Sequence, residues 1–260
     1  MHKILCLDYD NTIFDHSSRQ IPDSTIEALD KVRGRLKIVL ASGRHFNEAI
    51  NKPILDIIKP DAIIHANGCV VEADGKLLYE TYLDNALVED LIHFALEHHL
   101  ILGGVYESCW YNTYPEKLRQ RWNAKGNTFF PEVKEISGLF GKKIYALFLD
   151  DTVEAARLLA DNFPAVRTPI MSEKYGGADV IPHHVSKASG IQVLLNYWGM
   201  TFQDVIAIGD SMNDYEMIQQ ASIGIAMGNS VSPLKEIADY VTTHVNKDGI
   251  KNALQFFRLI

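Results

Sequence analysis

Runs of three to five almost unbroken apolar residues recur near both ends of this 260-residue chain, and they constrain its fold more than any other feature. Such runs are typical of parallel strands that are covered on both faces, because neither face of the sheet meets water. The first three are Ile4 to Leu7, Lys37 to Ala41 and Ala62 to Ala66. Helix-like stretches separate them, so the sequence predicts an α/β fold with a doubly wound, mainly parallel sheet.

Two helices and one hairpin complete this first part of the pattern. The helices are predicted at 24–32 and 47–55, and Ser24 with Glu27 is interpreted as a capping box for the first of them. A hairpin is predicted at 69–79, because Asp74-Gly75 supplies the two residues that tolerate positive φ in a tight turn.

The pattern changes after residue 82 and returns near residue 185. The block between has mixed helix and strand signals, with helices at 87–98 and 152–162 and strands at 101–106, 109–113, 143–149, 166–170 and 178–181. Strands at 205–208 and 223–226, with helices at 186–198, 214–220 and 249–257, then resume the first pattern. We therefore predict a split core domain, 1–82 and 185–260, that hosts an inserted α+β domain at 83–184.

The charge balance excludes some classes of partner. There are 25 Lys and Arg against 33 Asp and Glu, which gives a formal net charge of −8. A nucleic-acid or anionic-membrane surface needs a basic face, so we expect neither partner. The chain has three cysteines without a CxxC pair, and neither a signal-peptide pattern nor an apolar run that could span a bilayer. We expect a cytoplasmic protein that is a monomer or a weak homo-oligomer.

Acidic residues follow the first apolar run directly, in Asp8-Tyr9-Asp10. Ligands of open α/β sheets bind at the carboxyl ends of strands. Residues two apart along a strand share a face, so Asp8 and Asp10 can converge on one site unless the chain turns between them. A D-x-D pair alone is a weak signal and is more typical of a solvated turn or a helix cap.

A second acidic group, in Gly209-Asp210-Ser211-Met212-Asn213-Asp214, follows another apolar strand. Three or four carboxylates then face one crevice, and oxygen ligands without His or Cys favour Mg²⁺ over Zn²⁺. Ser42-Gly43-Arg44 after the second strand adds a hydroxyl group and a cation, and Lys187 adds a compact positive charge. These are the groups that phosphoryl transfer requires.

With these motifs in this order, the sequence resembles the haloacid dehalogenase-like hydrolase superfamily, and within it the Cof-type phosphatases with a large C2-type cap. The resemblance covers residues 1–82 and about 177–260 and includes Asn67-Gly68, Ala226-Met227-Gly228-Asn229 and Lys247-Asp248-Gly249-Ile250. It implies a Mg²⁺-dependent phosphatase for a small phosphate ester, with sugar phosphates leading and phosphorylated cofactors next. It also implies that the insert closes over the active site as a cap.

The resemblance assigns roles to individual residues. Asp8 is the nucleophile that becomes an aspartyl-phosphate, and Asp10 is the general acid and then base. The residues implied to bind phosphate or substrate are Ser42, Gly43, Arg44, Lys187 and Asn213. The residues implied to surround Mg²⁺ are Asp8, Asp10 through its backbone carbonyl, Asp210 and Asp214. Arg44 is equally compatible with an ion pair inside the core domain.

Two departures from the family pattern stand out. Asn11 occupies a position where the family usually has glycine, and Asn tolerates the left-handed backbone well enough for the loop to form. Ala188 replaces another preferred glycine near the start of a helix, where Ala is the better helix former.

Two alternative functions remain open. A phosphomannomutase-like phosphotransferase would have a similar core and cap, and its dependence on a bisphosphate activator would separate it from a phosphatase. A non-hydrolysing phospho-accepting or binding protein also pairs acids, Mg²⁺ and a Lys, but needs no large insert. In the insert, aromatic residues such as Trp110 and Trp122 are interpreted as packing residues, with the lining of a substrate pocket as the alternative. Arg119 and Arg121 are interpreted as exposed helix charges, with contact to a second anionic group of the substrate as the alternative.

Overall fold

The computed structural model describes the chain except for residues 1–3, 47–50, 125, 127–129 and 173–175. In chain order the strands are β1 Ile4–Leu7, β2 Lys37–Ala41, β3 Ala62–His65, β4 Val70–Ala73, β5 Lys76–Glu80, β6 Leu102–Tyr106, β7 Cys109–Asn112, β8 Val133–Glu135, β9 Leu147–Leu149, β10 Val166–Arg167, β11 Ala178–Pro182, β12 Val205–Gly209, β13 Ile223–Ala226 and β14 Tyr240–Val241. The helices are α1 Asp23–Val32, α2 Lys52–Ile58, α3 Asn85–Glu97, α4 Pro115–Ala124, α5 Val153–Asn162, α6 Lys187–Trp198, α7 Tyr215–Gln220, α8 Ser232–Ile237 and α9 Gly249–Phe256.

The chain divides into two compact units, Met1–Glu80 with Val185–Ile260 and Thr81–His184. This division lies within two residues of the predicted boundaries. Closure of the second unit as a cap stays a prediction. Among the described helices, none combines the length and the apolar character that crossing a membrane requires.

An eight-stranded sheet forms the centre of the first unit, in the order β14-β13-β12-β1-β2-β3-β4-β5. The six strands from β14 to β3 are parallel, and β4 and β5 are antiparallel. The chain runs outward from β1 in one direction through β2 and β3, and later in the other through β12 to β14. The carboxyl ends of β1 and β12 therefore lie at a topological switch point, where ligands of such sheets bind.

Both faces of this sheet are covered, which explains the unbroken apolar runs. Leu5 and Leu7 pack on one face with residues of α1 and α9. Ile4 and Cys6 pack on the other face with residues of α6 and α7. Side chains alternate between the faces along a strand, so the residues on both faces of β1 must be apolar. The predicted α/β doubly wound fold is confirmed.

The second unit has a six-stranded sheet in the order β10-β11-β9-β6-β7-β8. Its pairs are antiparallel except for β7 with β8. Residues of α3 and α5 form a buried cluster with one face of this sheet, which includes Leu102, Leu147 and Leu149. The α+β character predicted for the insert is thus observed.

Several local predictions differ from the structure. The capping box at Ser24 and Glu27 is wrong: α1 begins at Asp23 after Pro22, and no side chain caps it. The run 143–149 contains a strand only at Leu147–Leu149, with one isolated bridge at Ile144. The helices α4 and α8 were not predicted from the sequence.

Two other local predictions are confirmed, and one falls partly outside the described residues. Asp74 and Gly75 have φ values of 51° and 69°, as the predicted hairpin turn requires. Asn11 has a φ of 57°, so Asn does take the left-handed conformation in this loop. Of the helix predicted at 47–55, residues 47–50 lie outside the described part of the chain, and the described helix α2 covers Lys52–Ile58.

Candidate active site

Three carboxylates and one ammonium group lie together at the carboxyl ends of β1 and β12. Asp8 follows β1 directly, and its backbone N–H extends the strand pairing to Ile208. Asp210 follows β12, and Asp214 lies one turn further along. One carboxylate oxygen from each of the three falls within 4.8 Å of the others. We call Asp8, Asp210 and Asp214 the carboxylate cluster.

Lys187 provides the positive charge at the carboxylate cluster. It is the first residue of α6, and its side chain is completely buried. Its Nζ lies 2.5 Å from Asp8 Oδ1 and 2.6 Å from Asp214 Oδ1, and it donates a longer hydrogen bond of 3.3 Å to Asn213 Oδ1. Burial alone would lower the pKa of Lys187, but the two carboxylates outweigh it and raise that pKa.

The loop between β12 and α7 fixes Asp214. Its Oδ2 accepts hydrogen bonds from the backbone N–H groups of Asp210 and Ser211, at 2.9 and 3.0 Å. Gly209 makes this possible, since a Cβ atom there would come within 2.4 Å of the Asp214 carboxyl carbon. Backbone donors and Lys187 thus hold both oxygens of Asp214.

Negative charge exceeds positive charge in the carboxylate cluster. Burial, followed by repulsion from Asp214 and Asp10, raises the pKa of Asp8 to about 7 against the opposing effect of Lys187. Burial and the charges of Asp8 and Asp214 also raise the pKa of Asp210 well above its usual value. Both shifts mark a buried site in which negative charge exceeds positive charge.

Asp10 lies apart from the carboxylate cluster, because β1 ends at Leu7 and the chain turns at Tyr9, whose carbonyl accepts the N–H groups of Ile13 and Phe14. The turn that keeps Asp8 and Asp10 from sharing a strand face is therefore present. The Asp10 carboxylate instead pairs with Arg44. Burial would raise its pKa, but hydrogen bonds from His16 and Arg44 lower it to about 2.

Ser42 and Gly43 lie between the end of β2 and Arg44. Ser42 is buried, and its hydroxyl oxygen accepts the backbone N–H of Arg44 at 3.2 Å. The Ser42 backbone N–H donates to the carbonyl of Ile64. Gly43, between Ser42 and Arg44 in the chain, is half-buried. The structure thus brings Asp8, Lys187, Asn213, Asp210 and Asp214 together, and groups Asp10 with Arg44.

Supporting residues join distant parts of the chain at this edge. Asn213 Nδ2 donates to Asn67 Oδ1 at 3.0 Å, and Asn229 Nδ2 donates to the carbonyl of Asn11 at 2.8 Å. Thr12 is fully buried, and its hydroxyl makes a long contact of 3.4 Å to Asp210. Asn67, Asn11 and Asn229 were noted in the sequence only through the family resemblance, and Thr12 was not predicted as a site residue.

The turn that carries Asn67 lies against the start of α6. Ala66, Asn67 and Gly68 have positive φ values of 46°, 58° and 110°. A Cβ atom on Gly68 would come within 2.2 Å of the Ser186 carbonyl oxygen, so only glycine permits this approach. Ser186 caps α6 and precedes Lys187, and the turn therefore helps to place the lysine.

The chain is similar to known proteins in sequence and in structure. The family model described as haloacid dehalogenase-like hydrolase matches residues 5–254. YkrA of Bacillus subtilis (strain 168), which carries a provisional phosphatase name, is 33% identical over 264 residues, covering 99% of this chain and 98% of that protein.

Two solved structures are similar over nearly their whole length. The sugar phosphatase BT4131, of HAD subclass IIB, has 25% identity and a TM-score of 0.86, with 99% of this chain and 100% of that chain covered. The phosphatase BT1666 from Bacteroides thetaiotaomicron has 26% identity and a TM-score of 0.88, with 100% of this chain and 96% of that chain covered.

Proposed function

The chain belongs to the haloacid dehalogenase-like hydrolase family, and we propose that it is a Mg²⁺-dependent phosphatase that hydrolyses a small phosphate ester through an aspartyl-phosphate on Asp8. The observation that carries the proposal is the carboxylate cluster at the switch point, with Asp8 paired to a fully buried Lys187. An anionic substrate must meet positive charge there, and a nucleophilic carboxylate must be fixed in direction.

Asp8 is proposed to attack the phosphorus atom. Its Oδ1 is held by Lys187, and its backbone continues a buried strand, so its position is fixed before the substrate binds. Attack forms a bond from a carboxylate oxygen to phosphorus and breaks the bond from phosphorus to the leaving oxygen. Lys187 stabilises negative charge on the phosphoryl oxygens in this step.

Asp10 is proposed to move the protons. In the first step its carboxyl group donates a proton to the leaving oxygen, and the alcohol departs. In the second step its carboxylate takes a proton from water, whose oxygen attacks phosphorus and releases phosphate from Asp8. The second step requires the ionised form, which the contacts of Asp10 with Arg44 and His16 favour.

The residues present fit a divalent cation. The three carboxylates of the cluster, all buried, carry three negative charges against the single positive charge of Lys187. The deficit of two charges matches one Mg²⁺, and carboxylate oxygens are its preferred ligands. Asp8 and Asp210 would bind it with the backbone carbonyl of Asp10, and Asp214 would ligate or support it. Such an ion supplies Lewis-acid stabilisation of the phosphoryl charge.

We propose sugar phosphates as the substrate class. Support comes from the similarity to the HAD subclass IIB sugar phosphatase BT4131 over 99% of this chain. Ser42, Gly43 and Asn213 are proposed to contact the phosphate. They follow β2 and β12, which are the two strands on either side of β1, the strand that leads to Asp8.

The test is Mg²⁺-dependent phosphate release from a panel of sugar phosphates, phosphorylated cofactors and an aryl phosphate. We expect turnover with Mg²⁺ that EDTA abolishes, and the strongest turnover with a sugar phosphate. The variant Asp8→Asn is the matched control, because it keeps the size of the side chain and removes the nucleophile. Turnover that needs a sugar bisphosphate activator, or that survives in Asp8→Asn, would contradict the proposal.

A further inference from the structure

Both oxygens of the Asp10 carboxylate are held by neighbouring side chains. Arg44 donates from Nε to Asp10 Oδ2 at 2.9 Å and from Nη2 to Asp10 Oδ1 at 2.6 Å, which makes a two-point contact. His16 Nε2 lies 2.7 Å from the same Oδ1. A carboxylate only accepts hydrogen bonds, so this His16 nitrogen carries the hydrogen.

The Arg44 side chain is itself fixed from two further directions. Its Nη1 donates to Asn51 Oδ1 at 3.1 Å, and Asn51 donates in turn to the carbonyl of His45. The guanidinium group lies 4.8 Å from the centre of the buried Tyr9 ring, in a cation–π contact. All three guanidinium nitrogens therefore contact protein groups.

The His16 ring is held by aromatic contacts. Its edge-to-face partner is Phe14, with ring centres 5.1 Å apart. Phe14 stacks on Tyr9 at 5.5 Å, so the same buried ring supports both neighbours of Asp10. The loop that follows β1 thus supplies one contact to Asp10, and the loop that follows β2 supplies the other.

We propose that Arg44 and His16 are positioning residues that aim the Asp10 carboxyl group for proton transfer, and that Arg44 is not a phosphate ligand. The inference rests on the proposed function, in which Asp10 transfers the protons. Asp10 is one-third exposed and lies outside the carboxylate cluster, and Arg44 and His16 hold its two carboxylate oxygens. A planar two-point contact fixes both the position and the plane of a carboxylate, which one lysine could not do.

This assignment has a kinetic signature. A proton donated to the leaving oxygen matters most when that oxygen is a poor leaving group, and least when it departs readily as an anion. Loss of a residue that aims Asp10 should therefore lower kcat/KM, which reports transfer of the phosphoryl group to Asp8, far more for phenyl phosphate than for p-nitrophenyl phosphate. Loss of a phosphate ligand should slow both substrates equally and raise KM, because both carry the same phosphoryl group.

The experiment measures kcat and KM for phenyl phosphate and p-nitrophenyl phosphate, with Mg²⁺ present. The variants are Arg44→Gln, Arg44→Lys, His16→Gln and Asp10→Asn, and the matched control is Arg157→Gln at an exposed arginine of the other unit. We expect Arg44→Gln to lower kcat/KM for phenyl phosphate by about 10- to 100-fold and for p-nitrophenyl phosphate by less than about threefold. A loss of kcat that is common to both substrates reports the second step, in which the leaving group has already departed. Arg44→Lys should restore only part of the loss.

A double variant completes the test. In an Asp10→Asn background, Arg44→Gln should add no further loss on either substrate, since there is no carboxyl group left to aim. Equal losses on both substrates with a raised KM, or full additivity in the double variant, would overturn the positioning role. His16→Gln, at a half-exposed side chain, tests the same role if Arg44→Gln fails to fold.

One outcome separates this inference from the proposed function. If Asp8→Asn abolishes turnover but Asp10→Asn leaves both substrates unchanged, then the proposed proton transfer by Asp10 is wrong, and the positioning role falls with it. If Asp10→Asn shows the dependence on leaving group and Arg44→Gln does not, only the positioning role is wrong.

Discussion

A buried carboxylate in the insert and the buried carboxylates of the core differ in how much positive charge lies beside them. In the insert, Asp150 accepts the Arg121 Nε–H at 3.0 Å on one oxygen and the Trp122 indole N–H at 2.6 Å on the other. In the core, Asp8 and Asp214 share the single ammonium group of Lys187. Asp150 thus has a cation beside it, whereas the three carboxylates of the core cluster have only one cation between them. That deficit, more than burial itself, distinguishes a site from a structural ion pair.

The sharpest test of this comparison is the variant Asp8→Asn. It should lower phosphate release by about four orders of magnitude or more, because it removes the nucleophile. It should not lower the free energy of unfolding without Mg²⁺, because it removes one of three charges that repel each other. Phosphate release and urea unfolding measure the two effects. A variant that unfolds more easily and keeps its activity would break the comparison.

Removing the shared cation should have the next largest effect. Lys187→Met leaves the carboxylate cluster without its positive charge, and breaking a buried pair in this way typically costs about 3–5 kcal/mol. Urea unfolding of the variant and the wild type measures the cost. The control is Lys251→Met, at a residue of α9 that is not fully buried, which should change stability little. An equal stability of Lys187→Met and wild type would contradict the account.

Added Mg²⁺ should stabilise the core through the same deficit of charge. At about one hundred times its Kd, a bound ion raises the free energy of unfolding by about 2.7 kcal/mol. We expect this gain in the wild type and its loss in Asp210→Asn, measured by urea unfolding with Mg²⁺ or with EDTA. An equal gain in both proteins would place the ion elsewhere.

The smallest expected effect concerns the insert. Asp150→Asn should lower the free energy of unfolding by about 1–2 kcal/mol, since it weakens two hydrogen bonds at a nearly buried group. Mg²⁺ should change the stability of this variant by the same amount as it does the wild type. A dependence of the variant on Mg²⁺ that differs from the wild type would show that Asp150 takes part in ion binding.

Strand-end chemistry in the sequence indicated most of the candidate site. Apolar runs locate strands, and carboxyl ends of neighbouring parallel strands meet at one edge. This logic grouped Asp8, Asp210, Asp214 and Lys187, which the structure also places together. The interpretation of Arg121 as an exposed helix charge, which does not rest on strand ends, is wrong, because Arg121 pairs with the nearly buried Asp150.

The positions of the other site residues depend on loop geometry, which the sequence pattern does not predict. The sequence left the direction of Asp10 open, because the turn at Tyr9 depends on hydrogen bonds within the loop. His16 gave no signal, since its contact with Asp10 arises only when that loop folds back. The capping box failed at Ser24 for a similar reason. The side-chain pattern favours a cap at Ser24, but the N-cap position falls on Pro22, two residues earlier, and no side chain caps the helix.

The most direct test of the central claim is the mass of the peptide that contains Asp8 after an acid quench. The quench follows mixing of the Asp10→Asn variant with Mg²⁺ and the best substrate of the panel, since this variant should slow release of the phosphoryl group from Asp8. The account predicts one added phosphoryl group on that peptide and none when Asp8→Asn is also present. A phosphoryl group on another peptide, or turnover by Asp8→Asn at the wild-type rate, would contradict it.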